Sequence, residues 1–197
     1  MKFAERLPLN LLLSLVVLFG VRWDVSAETP PFTENGTEMG LIDTRSGTDR
    51  AIGQAWGDFD NDGWLDLYVT DTDGPNSLFR NLGGERFERV ADPAVALADA
   101  YSGGAIFADY DNDGWQDLYV LNWGENTLLH NQQGTFVDVT SEAGVGGGDK
   151  NSQTASFGDY DRDGLLDIYV ANWACYGRCG RPTQGDIDRL YHNNGDG

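Results

Sequence analysis

Several kinds of residue that most often carry chemistry are scarce in this sequence. Its 197 residues include 2 Cys, 2 His and 2 Met, and 13 Lys and Arg stand against 32 Asp and Glu. The resulting net charge of −19 disfavours nucleic acid as a partner. Two cysteines, Cys175 and Cys179, lie in Cys-x-x-x-Cys spacing in a Gly-rich stretch. A zinc site would need two further ligands that their neighbourhood does not supply, and the haem-attachment pattern Cys-x-x-Cys-His is missing. In an exported chain they predict a local disulfide. The sequence also has no phosphate-cradling Gly loop and no nucleophile elbow.

Long apolar runs are missing with one exception. Lys2 and Arg6 precede the 13-residue run Leu9 to Val21, which closes near Val25-Ser26-Ala27, a small-x-small cleavage pattern. Asn10, Ser14 and Gly20 interrupt this run, and it falls short of the roughly 20 residues needed to cross a bilayer. Residues 1–27 therefore read as a signal peptide, with no membrane span after its removal. The mature product is expected outside the cell, or in the periplasm if the source is bacterial. Cleavage would remove Lys2, Arg6, Arg22, Glu5 and Asp24, so the acidic excess persists.

What is present is a repeat. Trp56-Gly57-Asp58-Phe59-Asp60-Asn61-Asp62-Gly63-Trp64-Leu65-Asp66-Leu67-Tyr68-Val69 returns 51 residues later from Phe107 to Val120, and 50 residues after that from Phe157 to Val170. Each copy continues into a second short apolar run, Ser77 to Asn81, Thr127 to Asn131 and Arg189 to Asn193. A third run follows a turn in the first two copies, at Arg86 to Val90 and Thr135 to Val139. Short β-branched and aromatic segments broken by Gly, Asn and Asp predict strands and tight turns with almost no helix. Counting the Gly-rich lead-in such as Gly53 to Gly57, each unit of about fifty residues holds four antiparallel strands, the pattern of a β-propeller blade. The predicted fold is all-β, a partial propeller of about three blades over residues 28–197. Phe32 to Leu41 matches Phe136 to Val145, which predicts a lone fourth strand at the start. Three blades cannot close a ring of about four to eight. The chain is expected either to continue beyond Gly197 or to assemble with itself or a partner.

The repeated loops, 58–66, 109–117 and 159–167, carry carboxylates at positions 1, 3, 5 and 9: Asp58, Asp60, Asp62 and Asp66; Asp109, Asp111, Asp113 and Asp117; Asp159, Asp161, Asp163 and Asp167. Alternate side chains of a curled loop point inward, and Gly63, Gly114 or Gly164 permits the sharp turn. A backbone carbonyl at position 7, from Trp64, Trp115 or Leu165, can add another oxygen. Hard oxygens in a flexible loop select Ca²⁺. A single Asp-rich turn could be only a strand cap, since Asp, Asn and Gly are ordinary turn residues. Three copies in one repeat phase favour the metal. An EF-hand is excluded because position 12 is Val69, Val120 or Val170 rather than Glu, and strands replace the flanking helices.

These motifs resemble the FG-GAP, or VCBS, repeats that build the calcium-bearing propeller of integrin α-subunits. The run Asp109-Tyr110-Asp111-Asn112-Asp113-Gly114, then Asp117-Leu118-Tyr119-Val120 and later His130-Asn131, is closer still to the ASPIC/UnbV, cartilage acidic protein-like family. The resemblance implies a seven-bladed propeller, Ca²⁺ between first and second strands, and extracellular adhesion or binding rather than catalysis. Phe157-Gly158 alone keeps the Phe-Gly pair, and Arg162 replaces the Asn of the other two loops.

His130, His192 and Arg80 occupy equivalent repeat positions, which argues for a structural role rather than a general base. Tyr68, Tyr119, Tyr169 and Trp56 are expected in packing, whereas Trp123 and Trp173 divide evenly between packing and a binding surface. About twelve residues are inserted between Asn172 and Asn193 relative to the second copy, within 174–187. With Arg178 and Arg181 they are expected to project from the face away from the Asp loops. The first functional expectation is a secreted, non-catalytic module that binds an extracellular protein or glycan. The alternative is the N-terminal part of a propeller-based lyase or hydrolase whose active site lies outside the chain.

Overall fold

The computed structural model describes residues 31–41, 51–148, 150–173 and 187–195. Residues 31–34 belong to a short unit of their own, Met1–Glu34, and contain no strand. All further structure concerns Asn35–Gly197.

Apolar residues that need covering on both faces form the central strands of each blade. Strand β2 (Asp66–Asp71) is buried at five of its six positions, and β6 (Asp117–Gly124) is buried over its first six. Outer strands are short and half-covered, as in β4 (Phe87–Val90). The first blade is a four-stranded antiparallel sheet in the order β1 (Ala51–Gly57), β2, β3 (Ser77–Asn81), β4. The second repeats it with β5 (Ser102–Ala108), β6, β7 (Thr127–Asn131) and β8 (Phe136–Asp138). The third has β9 (Lys150–Gly158), β10 (Asp167–Asn172) and β11 (Arg189–Tyr191). Two residue pairs, Trp123↔Asn151 and Gly124↔Lys150, join the second and third blades edge to edge. The fold is all-β, an open part of a β-propeller, and the first strands β1, β5 and β9 pack side by side.

That close packing explains the glycine-rich lead-ins. A Cβ on Gly53 would lie 2.5 Å from the Gly103 carbonyl oxygen, so only glycine lets β1 approach β5 at the bulge there. Two single-turn helices, α1 (Pro93–Ala96) and α2 (Thr140–Ala143), follow the outer strands. Carbonyls from α1 and from the stretch just after α2 cap buried tyrosines: Tyr68 Oη donates to Val95 O at 2.7 Å, and Tyr119 Oη donates to Val145 O at 2.7 Å.

Three expectations are corrected here. Residues 32–41 form no strand: 36–40 are a turn whose Met39 carbonyl accepts the Phe87 amide at 2.6 Å, so this segment caps the outer strand of the first blade. Trp56 is 52% exposed and lies tilted against Phe87, with ring centroids 6.1 Å apart. Tyr169 is 45% exposed, because no described segment covers it as the stretch after α2 covers Tyr119; its hydroxyl donates to Asp188 instead. The signal peptide, the Cys175–Cys179 disulfide and nearly all of the 174–187 insertion lie outside the described residues.

Candidate metal centres

Each Asp loop links the first strand of a blade to its second and is held by the same internal bonds. Both oxygens of the position-1 carboxylate are engaged by backbone amides: Asp58 Oδ1 accepts from Asp62 N at 3.0 Å and Oδ2 from Gly63 N at 2.9 Å. Asp109 and Asp159 do the same with Asp113 and Gly114, and with Asp163 and Gly164. Asp62, Asp113 and Asp163 accept the amides of Trp64, Trp115 and Leu165 at 2.8–2.9 Å, which closes the turn. A left-handed residue at position 4 and glycine at position 6 make this curl possible: Asn61 has φ 56° and Gly63 φ 89°. The curl brings Asp58, Asp60 and Asp62 together, each offering a carboxylate oxygen within 4.8 Å of the others. Asp159, Asp161 and Asp163 converge in the same way, as do Asp109, Asp111 and Asp117.

The position-9 aspartates have a second task. Asp66, Asp117 and Asp167 are at most 1% exposed. Asp66 Oδ2 accepts from Phe59 N at 3.1 Å and Oδ1 from Asn81 N at 2.7 Å, which pins the loop to the third strand. Asp117 and Asp167 do the same with Tyr110 and Asn131, and with Tyr160 and Asn193. Burial outweighs these amides at Asp66 and Asp117, and their carboxyls are pushed up to about 6. At Asp167 the balance reverses. Its own surface is covered but its wider surroundings are open, and the Asn193 amide leads in holding the carboxyl below the ordinary range.

This donor set fits a hard divalent cation. Carboxylates crowd together without enough positive charge nearby, and Asp60 Oδ1 is buried with no hydrogen-bond partner. Such an atom is costly unless something positive meets it. The clusters can therefore hold a metal ion. Asp58, Asp60 and Asp62, Asp109, Asp111 and Asp117, and Asp159, Asp161 and Asp163 are the groups that would supply the side-chain oxygens.

The FG-GAP-like repeat family model matches residues 58–120 and again 109–170, together more than half of the chain. The chain belongs to the FG-GAP-like repeat family. No curated protein matched it. Each match runs from position 1 of one Asp loop to the second strand beyond the next, so the FG-GAP unit includes the junction between blades.

Sequence reasoning missed what ties these FG-GAP loops to one another. Asn61 Nδ2 donates to Gly114 O at 2.8 Å and Asn112 Nδ2 to Gly164 O at 3.1 Å, so each position-4 asparagine reaches the following loop. Asn131 Nδ2 donates back to Phe59 O at 2.7 Å, and Asn193 Nδ2 back to Tyr110 O at 2.8 Å. The signal was available, because asparagine recurs at those repeat positions. The residue before that second asparagine also faces a loop. His130 Nδ1 lies 3.1 Å from Asp117 and 3.3 Å from Asp111, and His192 Nδ1 lies 3.1 Å from Asp167 and 3.6 Å from Asp161. In the first blade Arg80 Nε lies 2.6 Å from Asp60 Oδ2.

Proposed function

We propose that this FG-GAP chain is a calcium-binding β-propeller module that acts outside the cell by binding a protein or glycan and has no catalytic role of its own. The observation that carries the calcium reading is the repeated carboxylate cage with the buried, unpartnered Asp60 Oδ1. In each loop the side chains at positions 1, 3, 5 and 9 would hold the ion, and the carbonyls of Trp64, Trp115 and Leu165 would complete its shell. Bound calcium would supply the charge that lets four carboxylates stay ionised together. We place the chain nearest the ASPIC/UnbV branch on its loop and His-Asn motifs. Export rests on the charged start, the 13-residue apolar run and the small-x-small site.

The partner-binding reading draws support from the end of the blades away from the Asp loops. Trp123 and Trp173 are 61% and 55% exposed there, and Trp123 and Tyr101 border a groove of about 370 Å³. Exposed aromatic rings beside polar side chains suit a protein or glycan surface.

The test of the metal reading is thermal unfolding of the full chain in chelator and then with Ca²⁺ added back at roughly 10⁻⁴ to 10⁻³ M, the range of extracellular modules. A Tm that rises with Ca²⁺ supports the proposal. Equal melting with and without chelator removes it.

A further inference from the structure

The three Asp loops share a backbone but not the side chain that faces their carboxylates. The residue just before the recurring third-strand asparagine meets both the aromatic at position 2 and the carboxylates of its loop. In the second loop it is His130, with Tyr110 edge-on at 6.2 Å between centroids. In the third it is His192, with Tyr160 at 6.0 Å. In the first it is Arg80, whose guanidinium carbon sits 5.3 Å from the centroid of the buried Phe59 ring and whose Nε is 2.6 Å from Asp60 Oδ2. Arg80 Nε is itself buried and makes no aligned hydrogen bond, so the contact with Asp60 is one of charge.

Arginine keeps its charge at any physiological pH, and stacking on Phe59 restrains the guanidinium beside the loop. A unit charge a few ångströms from a bound divalent ion opposes it, and near a protein surface this repulsion changes affinity by about tenfold or more. We infer that Arg80 is a built-in counter-cation that makes the first loop a weaker calcium site than the second and third, and less dependent on metal for its folding. The inference rests on the calcium reading of these loops. It adds that the three sites are unequal and that one side chain sets the difference.

Calorimetric titration of the full chain with CaCl₂ tests it, alongside Arg80→His and His130→Arg. The native chain is expected to show two tight sites and a third at least about tenfold weaker. Arg80→His should bring the third site level, and His130→Arg should turn a tight site into a weak one. Terbium luminescence assigns the sites: Trp64 adjoins the first loop and Trp115 the second, so Trp115→Phe removes the tight indole-sensitised component and Trp64→Phe the weak one. A readout without metal accompanies these. In chelator, Arg80→Gln should lower Tm more than His130→Gln, because the guanidinium both stacks on Phe59 and offsets one of the four carboxylate charges of its loop. Three equal sites in the native chain, or no change in Arg80→His, would overturn the inference and leave calcium binding standing. No binding in any variant overturns the calcium reading and this inference with it.

Discussion

The junction between the first and second blades and the junction between the second and third are built from equivalent residues one repeat apart, and their cores differ at one place. Phe59, Leu78, Val95, Leu118 and Leu129 of the first cluster correspond to Tyr110, Leu128, Val145, Ile168 and Tyr191 of the second. In the first, Phe136 from the outer strand β8 fills the centre, with its ring 6.0 Å from Phe59. In the second, no described residue takes that place, and a cavity of about 440 Å³ opens between Tyr110, Leu128, Val145, Ile168, Tyr191 and Asn193. Tyr191 Oη is buried there with no partner. The outer strand of the second blade thus helps complete the core that it shares with the first.

If that comparison is right, the largest effect comes from removing the plug. Phe136→Ala should cost about 3–5 kcal/mol, the range for emptying an aromatic site in a packed core. The same logic separates two equivalent positions. Leu129→Ala should cost about 2–5 kcal/mol, whereas Tyr191→Ala, beside the existing cavity, should cost much less. Chemical denaturation of the three variants in Ca²⁺ checks this, and equal losses at Leu129 and Tyr191 would break the comparison.

The buried tyrosines sharpen it next. Tyr68 Oη donates to Val95 O and accepts from Asn76 Nδ2 at 2.9 Å, all out of water. In the third blade the position of Asn76 is held by Asp188, which can only accept when ionised, so the bond reverses and Tyr169 donates to it at 2.7 Å. Tyr68→Phe leaves two buried groups short and should cost about 1–3 kcal/mol, whereas Tyr169→Phe at an exposed pair should cost under about 1 kcal/mol. Paired thermal melts of the two variants decide this.

The antiparallel blades, the Asp loops and their place between first and second strands were legible because the loop and the strands on either side of it recur three times at one spacing. A repeat turns weak local signals into a strong one. What was not legible depends on neighbours rather than on the repeat unit. Tyr169 shares its motif with Tyr68 and Tyr119, yet it is exposed because burial is conferred by the next segment. Trp56 shares its position with Phe107 and Phe157, but it lies on an uncovered face. Residues 32–41 match an outer strand in sequence and form only its terminal turn, since a strand needs a partner edge. The basic residue in each loop was placed correctly as a repeat position, but its approach to the carboxylates is a tertiary fact that spacing does not encode.

A smaller effect distinguishes the loops by pH in the absence of metal. Asp66 and Asp117 have folded values raised from 3.8 to about 6, so their ionised forms are disfavoured by folding. Their contribution to stability is complete below 3.8 and is lost as pH rises through about 6. Asp167 is shifted the other way, so its contribution is present above the ordinary carboxylate range and is lost as pH falls below it. In chelator, Tm should therefore increase as pH is lowered from about 7 to about 5. Asp66→Asn and Asp117→Asn should flatten that rise, and Asp167→Asn should leave it. Calcium should reverse the trend by favouring the ionised carboxylates. Identical pH profiles for Asp66→Asn and Asp167→Asn would contradict the difference between the two ends of the chain.

The smallest expected effect lies at position 4 of the loops. Asn61 and Asn112 combine two properties there: they tolerate a left-handed backbone, φ 56° and 60°, and they reach the next loop's Gly carbonyl. Arg162 adopts φ 67° in the third loop without the side-chain amide that makes this conformation easy. Asn61→Ala should thus lose both an exposed hydrogen bond and backbone preference, about 1 kcal/mol in all. Arg162→Asn should gain a few tenths of a kcal/mol from backbone preference alone, because no following loop is described for its amide to reach. Thermal melts in saturating Ca²⁺ keep the metal term constant. If Arg162→Asn gained as much as Asn61→Ala loses, the asparagine would be acting through local geometry only, and the loop-to-loop bond would contribute nothing measurable to holding neighbouring blades together.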